Sequence, residues 1–310
     1  MFSVIFPGQG SQIVGMSSQF HSKFEIFKKL YKEADEVLNF PISKLILEGP
    51  KEKLDLTENT QPAIFLVGYS IFQLLKQEFN LNLNNAKFFA GHSLGEYTAL
   101  ACAGSLDFST TLKILKIRGS AMQSAVPKGE GGMIAILGSD IGTVEKIFNE
   151  NKDNYQCFIA NDNSNGQLVV SGRTEDINKL SLDFTSKNIK NIKLSVSAPF
   201  HCNLMNKASE LMKKEIEKLK FKNFQNTLIS NVTATEINDK STLKELLVKQ
   251  IESRVRWRES VLYMINKGVN QFIEIGPGKV LSGLIKRIDR SVKVSAINKE
   301  EDITIVRIND

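Results

Sequence analysis

The chain has 310 residues, of which 42% are hydrophobic, and this length suits one large domain with an insertion, or two domains. Lysine and arginine number 40 against 34 aspartate and glutamate residues, but the charges are scattered and no basic stretch is interleaved with aromatic residues, which argues against nucleic-acid binding. No apolar run has bilayer length, and three widely spaced cysteines give neither a disulfide framework nor metal-ligand spacing, so we expect a cytoplasmic protein with no membrane partner.

Strand-like and helical patterns alternate over the first 127 residues. One strand at 4–6 ends in the glycine-rich sequence PGQG, and a second strand is predicted at 87–90. Helical patterns cover 24–39, 63–79, 96–101 and 109–125. Such alternation predicts an α/β fold with a mostly parallel sheet covered by helices.

The pattern changes between residues 128 and 197, where six elements are predicted in the order β-α-β-β-α-β. They lie at 133–138, 141–151, 156–160, 167–171, 174–187 and 191–196. The polar sequence NDNSNG at 161–166 predicts a turn between the two middle strands. This order is typical of a ferredoxin-like unit, so we predict a small inserted domain over 128–197.

Beyond residue 197 the larger domain is expected to resume, so that it consists of 1–127 and 198–310. Its later elements are predicted at 209–219, 226–231, 243–251, 271–275 and 280–288.

The sequence GHSLG at 91–95 is the most informative motif. It lies between a predicted strand and a predicted helix, which is the layout of a nucleophile elbow that exposes a serine hydroxyl. The dipole of the following helix and the free N–H of Leu94 would stabilise negative charge that develops beside Ser93. A serine hydroxyl at this position is a candidate nucleophile that needs a base.

Three histidines could supply that base. His21 lies in a polar stretch, and His92 is a neighbour of the serine on a tight turn, where side chains usually point apart. His201 follows a predicted strand end and is the best candidate. No acid between Ser93 and His201 is a convincing partner for its second ring nitrogen, so the residues alone leave the orienting group open.

Arg118 lies on a predicted helix among apolar residues. One interpretation is a side chain whose charged end reaches water, and the other is a fixed guanidinium that binds a substrate carboxylate. The glycine-rich turn at 7–10 could complete an oxyanion hole or hold a phosphate, but it is not a Walker A loop because no Gly-Lys-Ser/Thr follows.

Together these features resemble the malonyl-CoA:acyl carrier protein transacylases of type II fatty acid synthesis. The resemblance covers essentially the whole chain. Its markers are FPGQGSQ at 6–12, TQPA at 60–63, GHSLGEY at 91–97, Arg118-Gly119, Asn161, PFH at 199–201, Gln250, Trp257 and EIGPGK at 274–279.

The resemblance implies catalytic roles. Ser93 would carry the malonyl group as an ester, and His201 would be the general base. The backbone N–H groups of Gln9 and Leu94 would form the oxyanion hole. The backbone carbonyl of Gln250 would hold the histidine in place of an acid.

Other residues would bind or surround the substrate. Arg118 would bind the malonyl carboxylate, and Asn161 would support the site from the inserted domain. His92 is expected to be structural or to shape the pocket, and Met122 is a further supporting residue. Phe200 stands where other members can carry serine, and its ring would fit an unbranched malonyl group.

The resemblance also implies the fold and the partners. The family combines an α/β-hydrolase-like domain with a ferredoxin-like insertion. We expect a monomer that moves malonyl from malonyl-CoA to the phosphopantetheine thiol of acyl carrier protein, with no metal and no organic cofactor. The alternatives are a serine hydrolase, a transacylase of polyketide or polyunsaturated-lipid assembly, and a non-enzymatic carrier-binding module.

Overall fold

The computed structural model describes residues 1–151, 153–196, 198–237 and 239–304. The strands are β1 Phe2–Phe6, β2 Phe88–Gly91, β3 Gly131–Leu137, β4 Cys157–Ser164, β5 Gln167–Arg173, β6 Lys190–Lys193, β7 Thr227–Ile229, β8 Glu236–Ile237, β9 Gln271–Ile275 and β10 Lys293–Ile297. The α-helices are α1 Ser18–Lys23, α2 Glu25–Leu38, α3 Ile42–Glu48, α4 Lys51–Leu54, α5 Thr57–Gln77, α6 Leu94–Cys102, α7 Phe108–Ser124, α8 Ile141–Glu150, α9 Thr174–Ser186, α10 Asn206–Glu217, α11 Lys240–Glu252, α12 Trp257–Asn266, α13 Val280–Ile288 and α14 Glu300–Ile303.

The larger sheet has six strands in the order β10-β9-β1-β2-β7-β8, and each pairing is parallel except that of β7 with β8. Every residue of β1 and β2 is buried. Such continuous apolar strands are expected where helices cover both faces of a parallel sheet. Helices α5 and α6 pack on one face, and α12 and α13 contribute to the apolar cluster on the other. The predicted α/β fold with a mostly parallel sheet is confirmed.

The central pairing of this sheet positions the site. Phe6 at the end of β1 lies opposite Gly91 at the end of β2. The glycine-rich turn at 7–10 and the GHSLG turn at 91–95 therefore leave the sheet side by side. The carboxyl edge of a parallel sheet is where ligands usually bind in α/β folds.

The second sheet is antiparallel, with strand order β4-β5-β3-β6. Its strands and the helices α8 and α9 form a separate hydrophobic cluster that includes Ile134, Ile136, Val144, Ile147, Val170, Leu180 and Phe184. The elements follow one another in the predicted order β-α-β-β-α-β.

The predicted turn at 161–166 is wrong over most of its length. Strand β4 continues to Ser164, and its pairing with β5 shifts register between Ile159 and Asn161 and again between Asp162 and Ser164. Asn161 also forms a bridge with Val255. The polar sequence is therefore a bulged strand with a partner on each side, and bulges re-aim side chains in this way.

Other elements were missed or misplaced by the sequence patterns. Helices α1, α3, α4, α12 and α14 and strands β8 and β10 were not predicted, and the strand predicted at 191–196 ends at Lys193. The predicted domain boundary at residue 197 and the predicted domain end at 305–310 lie outside the described residues. Within the described ranges, no helix is long and apolar enough to cross a bilayer.

Candidate active site

Ser93 occupies a sharp turn between β2 and α6. Its backbone has φ 53° and ψ −109°, and a positive φ is uncommon for any residue other than glycine. A Cβ on Gly91 would lie 1.9 Å from the Gly95 carbonyl carbon, and a Cβ on Gly95 would lie 2.3 Å from the Phe6 carbonyl oxygen. Close backbone packing therefore requires glycine at both positions. This tight turn places Ser93 directly before the first residue of α6.

The structure brings His201 to this serine. His201 Nε2 lies 2.9 Å from Ser93 Oγ, and His201 Nδ1 lies 2.9 Å from the backbone oxygen of Gln250. A carbonyl oxygen only accepts, so Nδ1 carries the proton and the unprotonated Nε2 accepts from the serine hydroxyl. The carbonyl of Gln250 therefore takes the position that a carboxylate has in other serine enzymes.

The environment keeps His201 neutral. Burial, and then the positive charge of Arg118, lower the pKa of His201 from 6.5 to about 3. An imidazole that is uncharged at neutral pH can accept the hydroxyl proton of Ser93. The pair can thus generate a serine nucleophile.

Three of the acids between the serine and the histidine in the sequence have other structural roles. The side chains of Asp107 and Asp140 cap α7 and α8 by accepting the N–H groups of Thr110 and Thr143. Asp162 accepts two N–H groups from Arg258, at 3.0 Å from Nε and 2.8 Å from Nη2.

Arg118 lies on α7 and its guanidinium is completely buried beside the serine. It donates to Ser93 Oγ at 3.1 Å, to Gln61 Oε1 at 2.8 Å and to Gln250 Oε1 at 2.8 Å. Arg118 Nε has no hydrogen-bond partner, and the three acceptors bonded to the guanidinium within the described residues are all neutral. Buried charges are normally paired, so this guanidinium is suited to an anionic ligand.

A cavity of about 420 Å³ opens over Ser93 and His201. Its lining comes from turns and helices beyond the strand ends of the larger sheet and from strands β3, β4 and β5 of the smaller sheet, so it lies between the larger part of the chain and the part that contains β3 to β6. The sequence-predicted residues that line it are Gln9, His92, Ser93, Leu94, Met122, Asn161, Phe200 and His201.

Two backbone N–H groups could bind an oxyanion in this cavity. Leu94 is the first residue of α6, so its N–H has no acceptor within the helix. Gln9 follows β1 and its side-chain amide donates to Thr57 Oγ1 at 3.3 Å. The adjacent strand ends bring both residues to the cavity that contains Ser93.

His92 and Asn161 occupy the side of the cavity nearest the small sheet. His92 Nε2 donates to Asn163 Oδ1 at 2.9 Å, and its ring lies 5.8 Å from that of Trp257. Burial lowers the pKa of His92. Asn161 is buried where β4 bridges to Val255, which fixes its place at the cavity.

Sequence reasoning missed three residues that hold the site together. Asn231 Oδ1 accepts the N–H of Ser93 at 2.7 Å, and its Nδ2 donates to the carbonyl of Gly91 at 2.7 Å. Glu96 accepts from Gln250 Nε2 at 2.7 Å, and Asn163 accepts from His92. Glu96 lies in the motif GHSLGEY at 91–97 and Asn163 in the polar sequence NDNSNG at 161–166, which was predicted as a turn, whereas Asn231 lies in no motif that the sequence singled out.

No metal site accompanies this arrangement in the described part of the chain, where no three His, Cys, Asp or Glu side chains are grouped to hold an ion.

Comparison with known proteins identifies the family. Residues 3–305 match the family model of the acyl transferase domain. The malonyl CoA-acyl carrier protein transacylase of Bacillus subtilis (strain 168) is 40% identical over 304 residues, which cover 97% of this chain and 94% of that protein.

Solved structures agree with this match. The acyl-carrier-protein-S-malonyltransferase from Bartonella henselae has a TM-score of 0.95 at 39% identity, covering 98% of this chain and 97% of that chain. A malonyl-transacylase in complex with a type II PKS acyl-carrier protein has a TM-score of 0.93 at 34% identity, with 98% and 97% covered. The chain therefore belongs to the acyl transferase domain family.

Proposed function

We propose that this acyltransferase moves a malonyl group from malonyl-CoA to the phosphopantetheine thiol of an acyl carrier protein, for fatty acid synthesis. The names of the similar proteins support this substrate and this acceptor. One observation carries the proposal: the hydroxyl of Ser93 lies within hydrogen-bond distance of both the neutral imidazole of His201 and the buried guanidinium of Arg118. A nucleophile, a base and a carboxylate-binding group therefore meet at one point.

In the first half-reaction Ser93 Oγ attacks the thioester carbonyl of malonyl-CoA while His201 Nε2 takes the hydroxyl proton. The N–H groups of Gln9 and Leu94 stabilise the oxyanion. The C–S bond then breaks, the departing CoA thiolate receives the proton from His201 and becomes a thiol, and malonyl remains as an ester on Ser93. In the second half-reaction the carrier thiol gives its proton to His201 and attacks the ester carbonyl, the C–O bond to Ser93 breaks, and Ser93 Oγ takes the proton from His201.

The carbonyl of Gln250 stabilises the imidazolium of His201 less than a carboxylate would. This is sufficient for thioester exchange, because a thiolate leaves more easily than an amide nitrogen. Water must be kept from the serine ester, and the cleft between the two sheets supports this requirement.

Arg118 gives the reaction its preference for a carboxylate-bearing acyl group. The acceptors that it bonds directly, Gln61, Gln250 and Ser93, are all neutral, so a malonyl carboxylate would be the first anion bonded directly to this guanidinium. Phe200 lines the cavity that contains Ser93 and His201, and we propose that its ring favours unbranched malonyl over branched analogues.

We also propose the finer description of the fold and its division into domains. The strand order β4-β5-β3-β6 and its separate apolar cluster support a ferredoxin-like domain over 128–197. The strand–turn–helix at Ser93 supports an α/β-hydrolase-like domain made of 1–127 and 198–310. The monomeric state and the cytoplasmic location remain predictions from the sequence.

The test is transfer between the two natural substrates. The protein is incubated with malonyl-CoA and a phosphopantetheinylated acyl carrier protein, and the carrier is weighed by intact-mass spectrometry. We expect malonyl-carrier to form in proportion to the CoA released. Release of CoA with an unmodified carrier would instead indicate the serine hydrolase, and transfer of another acyl group in preference to malonyl would indicate the polyketide-type enzyme.

A further inference from the structure

Glu96 is a buried carboxylate that the reaction proposed above does not use. It lies in the first turn of α6 and its side chain is almost wholly inaccessible. Its Oε2 accepts from Gln250 Nε2 at 2.7 Å and from the N–H of Asn231 at 3.1 Å, whereas Oε1 has no partner. A carboxylate with one unpartnered buried oxygen is costly to keep ionised.

The amide of Gln250 connects this carboxylate to Arg118. Gln250 Nε2 donates to Glu96, and Gln250 Oε1 accepts from Arg118 Nη2 at 2.8 Å. The side chains of Glu96 and Arg118 are thus bonded to the two ends of one amide and form an indirect ion pair. Before substrate binds, their opposite charges balance within a buried cluster.

A malonyl carboxylate would upset this balance. Arg118 would then face two negative charges in a poorly solvated space, and like charges that share such a site cannot both remain ionised at ordinary cost. Burial already raises the pKa of Glu96 to about 7, against the opposing effects of its bonds to Gln250 and Asn231 and the charge of Arg118. Of the two carboxylates, Glu96 is the one already inclined to accept a proton.

We propose that Glu96 is the counter-ion of Arg118 before substrate binds, and that it takes up a proton from solvent when the acyl carboxylate binds Arg118. The proposal rests on the function proposed above. Glu96 does not touch the substrate but acts on it through Gln250, so it is a positioning residue. Its protonation removes one negative charge from the buried cluster, so that the acyl carboxylate can bind Arg118 in its ionised form.

The other ionisable groups near this cluster do not offer an equivalent site. Burial raises the pKa of Tyr97, beside Glu96 on α6, to about 12, so it stays neutral. The pKa of His201, in the loop before α10, is about 3, and that of His92 is lowered by burial. The groups that α5, α11 and the segment after β7 bring to the cluster are neutral amides: Gln61, Gln250 and Asn231.

The test measures proton uptake on binding, with Ser93→Ala as the background so that no ester forms. Titration calorimetry in buffers of different ionisation enthalpy gives the protons bound, and acetyl-CoA is the matched ligand without the carboxylate. At pH 8 we expect malonyl-CoA to take up about half a proton or more beyond acetyl-CoA, with Kd rising up to about tenfold per pH unit above pH 7. Adding Glu96→Gln should abolish the additional proton uptake and make the Kd for malonyl-CoA independent of pH in this range. Adding His201→Asn should leave the additional uptake and the pH dependence of Kd unchanged.

Three results would overturn the proposal: equal proton uptake for the two ligands, an excess that survives Glu96→Gln, or an excess that disappears with His201→Asn. If the Glu96→Gln protein does not fold, infrared difference spectra of Ser93→Ala decide the matter. Binding should add a protonated carboxyl band that does not shift with ¹³C-labelled malonyl-CoA, and a band that shifts would assign the proton to the ligand. Failure to form malonyl-carrier in the transfer assay would instead reject the function itself.

Discussion

The hydroxyl of Ser93 lies 3.1 Å from the guanidinium of Arg118, although Ser93 lies in the turn before α6 and Arg118 lies on α7. The nucleophile therefore stands next to the group that we propose binds the acyl carboxylate. His201 approaches the same hydroxyl at 2.9 Å, so that one oxygen contacts both the base and the cation. This shared contact accounts for how a serine enzyme could select a short carboxylate-bearing acyl group.

Replacing Arg118 with alanine should reduce malonyl transfer far more than acetyl transfer. The malonyl carboxylate would lose its only buried cation within the described site, which costs about 2–4 kcal/mol, or roughly 30-fold or more in kcat/KM. The measurement compares kcat/KM for malonyl-CoA and acetyl-CoA in the natural protein and in Arg118→Ala. An equal fall for both substrates would mean that Arg118 supports the fold of the site and does not bind the carboxylate.

The pH profile of acylation should extend unusually far into acid. Because burial and Arg118 lower the pKa of His201 to about 3, its imidazole remains an uncharged base well below the ordinary value of 6.5. At subsaturating malonyl-CoA, we expect the acylation rate constant at pH 5.5 to stay near its value at pH 6.5. A histidine with the ordinary pKa would instead lose about five- to sixfold between pH 6.5 and pH 5.5, and an acid limb centred near 6.5 would contradict the assigned environment.

The elbow should not tolerate a side chain at Gly91. The added methyl group of Gly91→Ala would lie 1.9 Å from Gly95, so the backbone of the elbow must shift and move Ser93. We expect loss of the malonyl adduct and a lower melting temperature. Gly283→Ala is the matched control, because Gly283 lies exposed in α13 with no atom outside its own helix within 4 Å of the new Cβ, and it should gain up to about 1 kcal/mol. Equal behaviour of the two variants would refute the steric argument.

The ion pair of Asp162 with Arg258 should stabilise the junction between β4 and α12. Arg258→Met would leave the buried carboxylate of Asp162 without its cation, and we expect a loss of about 2–3 kcal/mol in the free energy of unfolding measured in urea. The control is Arg254→Met, which breaks a more exposed pair with Glu145 and should cost less than about 1 kcal/mol. Similar losses for the two variants would show that the buried ion pair contributes no more to the free energy of unfolding than the more exposed one.

The parts of the site that depend on local geometry could be predicted from the sequence. The apolar strand before Ser93 and the two glycines around it determine the elbow within a few residues of chain. The supporting network could not be predicted, because its contacts join distant segments: Asn231 and Gln250 lie 135 and 154 residues from Glu96. No periodic pattern encodes such contacts.

In the fold too, elements with a clear local pattern could be predicted from the sequence, whereas elements that depend on contacts with distant segments could not. Strands β1 and β9 are fully buried, mostly apolar segments and were predicted close to their observed bounds. Strand β10 is half exposed at the edge of the sheet, and helix α12 opens with charged residues, so both lack a clear hydrophobic pattern. The polar run at 161–166 has turn composition, and most of it is extended because it pairs with β5 on one side and with Val255 on the other.

The central claim is that Ser93 carries the malonyl group. Its most direct test is the intact mass of the protein after brief incubation with malonyl-CoA, in the absence of carrier protein. The account predicts a gain of one malonyl group, located on Ser93 by peptide mapping and absent from Ser93→Ala. A malonyl adduct that persists in Ser93→Ala, or transfer to carrier protein by that variant at the natural rate, would contradict it.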